Sequence, residues 1–98
     1  MKKDVKSKEK KNVDVWIIGE KYFIRTVTMA LTGRLTAVYG QELVLSDAAW
    51  IADTGRFSDF LKTGIASEVE PFPDMVIVGR GSIVDACVFQ HELPRIKK

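Results

Sequence analysis

Cysteine, histidine and proline are scarce in this chain: of 98 residues, one is cysteine, one is histidine and three are proline. A single cysteine, Cys87, cannot close an intrachain disulfide, so a packed core rather than a set of staples must hold the fold. Cys87 lies in an apolar run, where a buried, inert thiol is expected, and this usage fits an intracellular setting. His91 stands beside Glu92 with no cysteine or second histidine at ligand spacing. It reads as a lone exposed side chain, and no metal site or cofactor is expected. Long apolar runs are missing too. None approaches the ~20 residues of a membrane helix, and the lysine-rich start has no apolar stretch after it, so neither a span nor a secretory signal is expected.

No catalytic constellation is visible. No serine or cysteine has a plausible base beside it. Asp47, Asp53 and Asp59 recur at six-residue spacing, which helix capping and solvation explain better than acid–base chemistry. The GRGS run at 79–82 lacks the lysine-serine/threonine ending and the following helix of a phosphate loop. The chain is therefore expected not to be an enzyme.

What is present is an ordinary globular composition, 46% hydrophobic in a length that suits one domain. The net charge of +2 conceals an asymmetry. Residues 1–11 hold six lysines against Asp4 and Glu9, and Arg95, Lys97 and Lys98 close the chain, whereas residues 12–94 carry eleven acidic side chains against six basic ones. The basic charge thus lies in the two ends and the acidic charge in the body. Residues 1–12 read as a disordered basic arm, either a solubilising tail or a phosphate-contacting one, and 95–98 as a short basic tail.

Between the ends the pattern is mainly that of strands. Val13 to Gly19 is β-branched and short, and predicts a strand with a turn at Gly19-Glu20. Lys21 to Met29 predicts a second strand, with the turn at Ala30–Gly33. Arg34 to Tyr39 is the third strand, Gly40-Gln41 a tight reversal, and Glu42 to Leu45 a short fourth strand. Ser46 and Asp47 resemble helix N-caps, so Ala48–Asp53 is expected to be a helical turn or two. FSDFLKTG is expected to be a second short helix, with Phe57, Phe60 and Leu61 at i, i+3 and i+4 and Gly64 just past its end. Trp50, Ile51, Phe57, Phe60 and Leu61 would then form an apolar lid. Residues 67–74, acidic and proline-bearing, predict an irregular connector. MVIVG and SIVDACVF are the last strands, with Ile83, Asp85, Cys87 and Phe89 on one face. One domain over 13–94 is expected, with a helical insertion at about 47–73.

Two segments resemble the Sm-like proteins, RNA-binding barrels that include the bacterial Hfq type. GRLTAVYGQELVLSDA places Gly33, Leu35, Leu43, Leu45 and Asp47 as in the family's first segment, and VIVGRGSIVDACV places Arg80, Gly81, Ile83 and Val84 as in its second. The turn Tyr39–Glu42 is shorter than the family's and lacks its base-binding triplet, and an apolar run stands where the family has a helix. The resemblance implies a small, strongly bent β-barrel that pairs its edge strands with neighbouring copies to form a ring of five to seven subunits. MVIVGRG and RLTAVY are the expected edges, since both carry little charge. It also implies a single-stranded RNA site at Arg80, Gly81, Tyr39 and Gln41. Arg80 would contact phosphate or a base edge and Tyr39 would stack a base. The other reading of Arg80 is a turn arginine paired with Asp85 or Asp47, and that of Tyr39 a half-buried strand-end residue. The chain is also similar to phage and prophage proteins that bring no known activity. They leave open a structural or accessory oligomer that binds no nucleic acid. Both resemblances imply a cytoplasmic location, in a bacterium or a phage-infected host.

Overall fold

The structure, a computed structural model, describes residues 14–98. The expected basic arm and Val13 lie outside them. Six strands and one helix follow: β1 Lys21–Thr26, β2 Ala30–Val38, β3 Glu42–Asp53, α1 Phe57–Thr63, β4 Glu68–Pro71, β5 Val76–Gly79, a 3-10 turn Arg80–Ser82, and β6 Ile83–Val88. All ladders are antiparallel, in the order β4-β3-β2-β1-β6, and β5 pairs with the same edge of β3 that β4 uses further along. The fold is mainly β, as expected, with a strongly bent sheet. The ladder does not close into a barrel: β5 and β6 are joined by the 3-10 turn and are not paired to each other.

β3 is the strand around which the rest is arranged, and it departs most from expectation. It runs through twelve residues instead of stopping at Leu45, so the expected helix over Ala48–Asp53 is strand. Ser46-Asp47 does not cap a helix. Asp47 takes a positive φ of 51° and inserts an extra residue, and the β2–β3 register shifts between Thr32 and Arg34. Such a bulge bends the strand and flips its parity. Before it, Leu43 and Leu45 face one core; beyond it, Ala49 and Ile51 face the other. Gly33 sits opposite the bend inside β2, not in a turn. A Cβ there would lie 3.0 Å from Leu45 Cβ and 3.2 Å from Ala48 Cβ.

The expected turn at Ala30–Gly33 falls instead at Val27–Met29. Thr26 N–H donates to the Met29 carbonyl (2.7 Å), and the Thr26 hydroxyl both donates to that carbonyl and accepts from Met29 N–H (3.1 Å). A threonine side chain thus does locally what a glycine turn would have done. The described part of the first expected strand is not strand either. Trp16 N–H donates to Asp14 Oδ1, Glu20 N–H to the Ile17 carbonyl, and Ile17 N–H to the Tyr22 hydroxyl, while Trp16 packs edge-on against Tyr22 at 5.0 Å. The acidic segment expected as a connector contains β4, in which Val69 is buried between exposed Glu68 and Glu70. Alternation over three residues is too short a signal to outweigh the neighbouring prolines.

Two cores result. The first holds Tyr22, Ile24, Leu31, Leu35, Leu43, Leu45, Ala48 and Val78 on one face of the sheet. The second lies under α1 and holds Phe23, Ala49, Ile51, Phe60, Ala66, Val69 and Phe89. α1 forms as expected, with Gly64 left-handed at φ 77° and its N–H donating to the Phe60 carbonyl. The expected lid is only partly realised: Ile51 and Phe60 are buried, whereas Trp50, on β3, projects from the sheet and is exposed. Among the described residues, no helix is long and apolar enough to cross a membrane.

Thr32 is fully buried, and its hydroxyl has no hydrogen-bond partner. A buried unpaired hydroxyl costs free energy that a methyl group of similar shape does not. Thr32→Val is therefore expected to stabilise the fold by about 1 kcal/mol, read as a higher urea midpoint with an unchanged m-value. A lower midpoint would mean that the hydroxyl is satisfied in solution.

Candidate functional site

Three of the four residues singled out in the sequence are tied together at one end of the sheet, and the fourth adjoins them. The β2–β3 hairpin is closed by Tyr39 N–H donating to the Glu42 carbonyl at 2.8 Å. The 3-10 turn then packs on it: Arg80 N–H donates to the Gln41 carbonyl at 2.9 Å, and Arg80 Nη1 donates to the Tyr39 carbonyl at 2.9 Å. Gly81 follows directly, and a Cβ placed there would meet nothing within 4 Å, so the backbone is open to approach. Tyr39 is 59% exposed rather than half-buried. Neither proposed partner of Arg80 is the one found. Its carboxylate contact is Asp14 Oδ2 at 3.4 Å, 66 positions away in the chain.

Asp85 is engaged elsewhere. It accepts from Arg25 Nε at 2.8 Å and from Nη2 at 2.5 Å, and the same guanidinium lies 5.0 Å from the centre of the Phe57 ring. The hydrogen bond from Arg25 holds the Asp85 carboxyl below its ordinary value, against a smaller opposing effect of desolvation. A carboxylate with a depressed folded pKa adds stability above its unfolded pKa and loses it as pH falls through the folded one. Both side chains are about half exposed, so solvent screening keeps the effect small. Asp85→Asn is accordingly expected to differ slightly from wild type at neutral pH, the difference vanishing below the ordinary carboxylate range. A gap in melting temperature that persists in strong acid would contradict the pairing.

Two expectations about reactive side chains are corrected. Cys87 is exposed, not buried, because β6 is an edge strand. Its thiol pKa is raised, first by partial desolvation and then by Asp85, so it is not an activated nucleophile. His91 is not a free surface residue: Nε2–H donates to the Leu61 carbonyl at 2.9 Å, near the end of α1, and the ring packs edge-on against Phe89. Among the described residues, no group of three or more histidine, cysteine or acidic side chains is placed to hold a metal ion.

The sheet edges expected from the sequence are found in part: MVIVGRG supplies β5, which among the described strands is paired on one side only. RLTAVY, expected at an edge, lies in β2 and is paired with β3 along its length to Val38, whereas toward β1 only Arg34 and Leu35 have backbone partners among the described residues, so Thr36–Val38 are open on that side. Among the described strands, β5 and β6 have open outer sides along their length, one on each side of the Arg80 turn. Both carry exposed apolar side chains: Ile77 is 71% and Val84 63% exposed. The β1–β6 register shifts at Arg25–Thr26, which leaves Val84 as an extra residue. Ile83 therefore joins Ala86 and Val88 on the face of the first core, not Asp85 and Cys87 as expected. Beside β6 on that face, Trp16, Tyr22, Ile83, Ala86 and Val88 line a groove of about 400 Å³. On the opposite face a second groove, of about 260 Å³, runs between β6 and α1 past Phe23, Phe57 and Leu61. No protein-family model, curated protein or solved structure matches this chain.

Proposed function

We propose that this chain is a non-enzymatic module that assembles with copies of itself, the β5 edge of one pairing with the β6 edge of the next. The observation that carries the proposal is the pair of unpaired, apolar strand edges flanking one turn. An exposed edge presents unpaired backbone donors and acceptors, and natural proteins cover, charge or pair it. Neither β5 nor β6 carries a lysine, and β6 has an apolar groove on each face to receive alternate side chains of an added strand. Two different edges that pair head-to-tail close into a ring when the rotation allows it. Five to seven subunits is the size that the Sm-like resemblance implies. Placement of Gly33 at the bend and of Arg80-Gly81 between two short strands supports that resemblance.

Light scattering on the full chain tests the reading. Wild type is expected at a discrete multiple of 11.0 kDa. Ile77→Lys is expected to reduce it to a single copy, since a charge on the outward face of β5 opposes pairing. A wild-type mass of one copy overturns the proposal. The gathering of Arg80, Gly81, Tyr39 and Gln41 favours a second reading, in which the ring also binds single-stranded RNA. Anisotropy of U-rich and A-rich oligomers would then show binding that Arg80→Ala removes at two salt concentrations. Binding erased by modest salt and indifferent to Arg80→Ala would be counterion release at the basic ends. It would leave the structural or accessory oligomer as the reading.

A further inference from the structure

The edge of β3 is completed by two short strands, and they are treated differently. β5 has an open outer side, whereas β4 is covered by the chain's own last residues. Val69 N–H donates to the Lys98 carbonyl at 2.9 Å, and Lys98 N–H donates to the Val69 carbonyl at 3.0 Å. Two residues that exchange both bonds form the hydrogen-bonded pair of an antiparallel ladder. The direction agrees. Three residues earlier, Arg95 clasps the other end of β4, Nη1 donating to the Ala48 carbonyl and Nη2 to the Phe72 carbonyl at 3.1 Å. Residues 95–98 therefore pass back along β4, bent at Ile96 and paired to it through the backbone of Lys98. The basic tail expected from the sequence is docked, and its arginine is spent on two backbone carbonyls.

We infer that Arg95–Lys98 is a displaceable guard on the β4 edge, which confines pairing between copies to β5. The inference rests on the self-assembly reading above. Three observations carry it. The guard satisfies the outward-facing donor and acceptor of Val69, the groups an incoming strand would otherwise use. Its hold is mainly polar: Ile96, its one apolar side chain, stays 78% exposed at the rim of a groove past Ala66 and Val69. Its charge also suits the place, because Arg95, Lys97 and Lys98 lie along a strand whose exposed side chains include Glu68 and Glu70. A cover that ties up backbone groups without contributing core can leave when a better strand arrives. The edge of β6 in a second copy is apolar and fits that description.

Three full-length proteins test this: wild type, the double variant Arg95→Ala/Lys98→Pro, and Lys98→Ala. Proline at 98 removes the N–H that Val69 accepts, whereas alanine removes only the charge. Amide exchange at Val69 reads the guard directly, and light scattering over a concentration series reads assembly. The double variant is expected to lose at least tenfold of the Val69 protection and to grow beyond the wild-type mass with concentration. Lys98→Ala should match wild type in both. Unchanged protection in the double variant, or lost protection with no change in mass, overturns the guard. A monomeric wild type overturns the self-assembly reading alone; the guard then stands if the double variant associates and falls if it too stays monomeric.

Discussion

Phe60→Ala is expected to destabilise the domain by about 3–5 kcal/mol, with urea unfolding as the measurement. The reasoning begins with α1, which has seven residues. A helix of that length has no independent stability in water and persists only by packing. Phe60 supplies that packing: it is fully buried, 5.0 Å from Phe23 in an edge-on contact and 5.7 Å from Phe89 in a stacked one. Phe57 and Leu61, the other members of the apolar stripe, remain substantially exposed. Removing the Phe60 ring leaves a cavity shared by β1, α1 and the segment after β6, which cannot all collapse into it. Small domains have about 5–15 kcal/mol in total, so the variant should be near the edge of folding at 37 °C. Phe60→Leu should recover much of the loss. A cost below about 1 kcal/mol for the alanine would mean that the second core does not depend on the helix.

The second large effect is expected at Gly33. Gly33→Val should cost about 1–3 kcal/mol or more, even though valine is the better strand former. Gly33 does not need a positive φ; what it needs is space. A Cβ at this position would meet the Cβ atoms of Leu45 and Ala48 at 3.0 and 3.2 Å, both fixed to the β3 backbone on either side of the bulge. Relief requires β3 to move away, which would weaken its ladder with β2 at the bend. Gly33→Ala tests the same contact with less volume and should fall between. A neutral or stabilising Gly33→Val would show that propensity outweighs the close approach, and the bend would then need another cause.

Both predictions concern residues that were conspicuous in the sequence, yet their roles were not equally legible. FSDFLKTG announced its helix because every signal is local: apolar spacing of three and four, and a glycine to end it. Gly33 was visible as a glycine, but a turn was the natural reading. Nothing in its neighbours tells a backbone that must reverse from one that must be approached closely. The turn lay three residues earlier, made by the hydroxyl of Thr26. SDAAWIAD shows the opposite failure. Its local signals are helical, and two flanking strands overrode them by pairing both sides of β3. The site was half legible. Arg80, Gly81, Tyr39 and Gln41 were singled out together through a resemblance, and the fold gathers them at one end of the sheet. The carboxylate that meets Arg80 was not found, because Asp14 is distant in the chain and carries no motif.

By itself the sequence determined the class of this protein. Its β-branched runs separated by glycine and polar turns make a mainly β domain that carries a short helix at Phe57–Thr63, and its single cysteine leaves the stability to packing. Tertiary structure alone decided that β6 is an edge, where the parity of β3 flips, and that the last residues lie along β4. The physical reason is common to all three. A strand's side-chain pattern records which faces are buried, whereas an edge is defined by backbone groups that lack a partner. Backbone groups are the same in every residue but proline, so composition and periodicity do not record who pairs with whom.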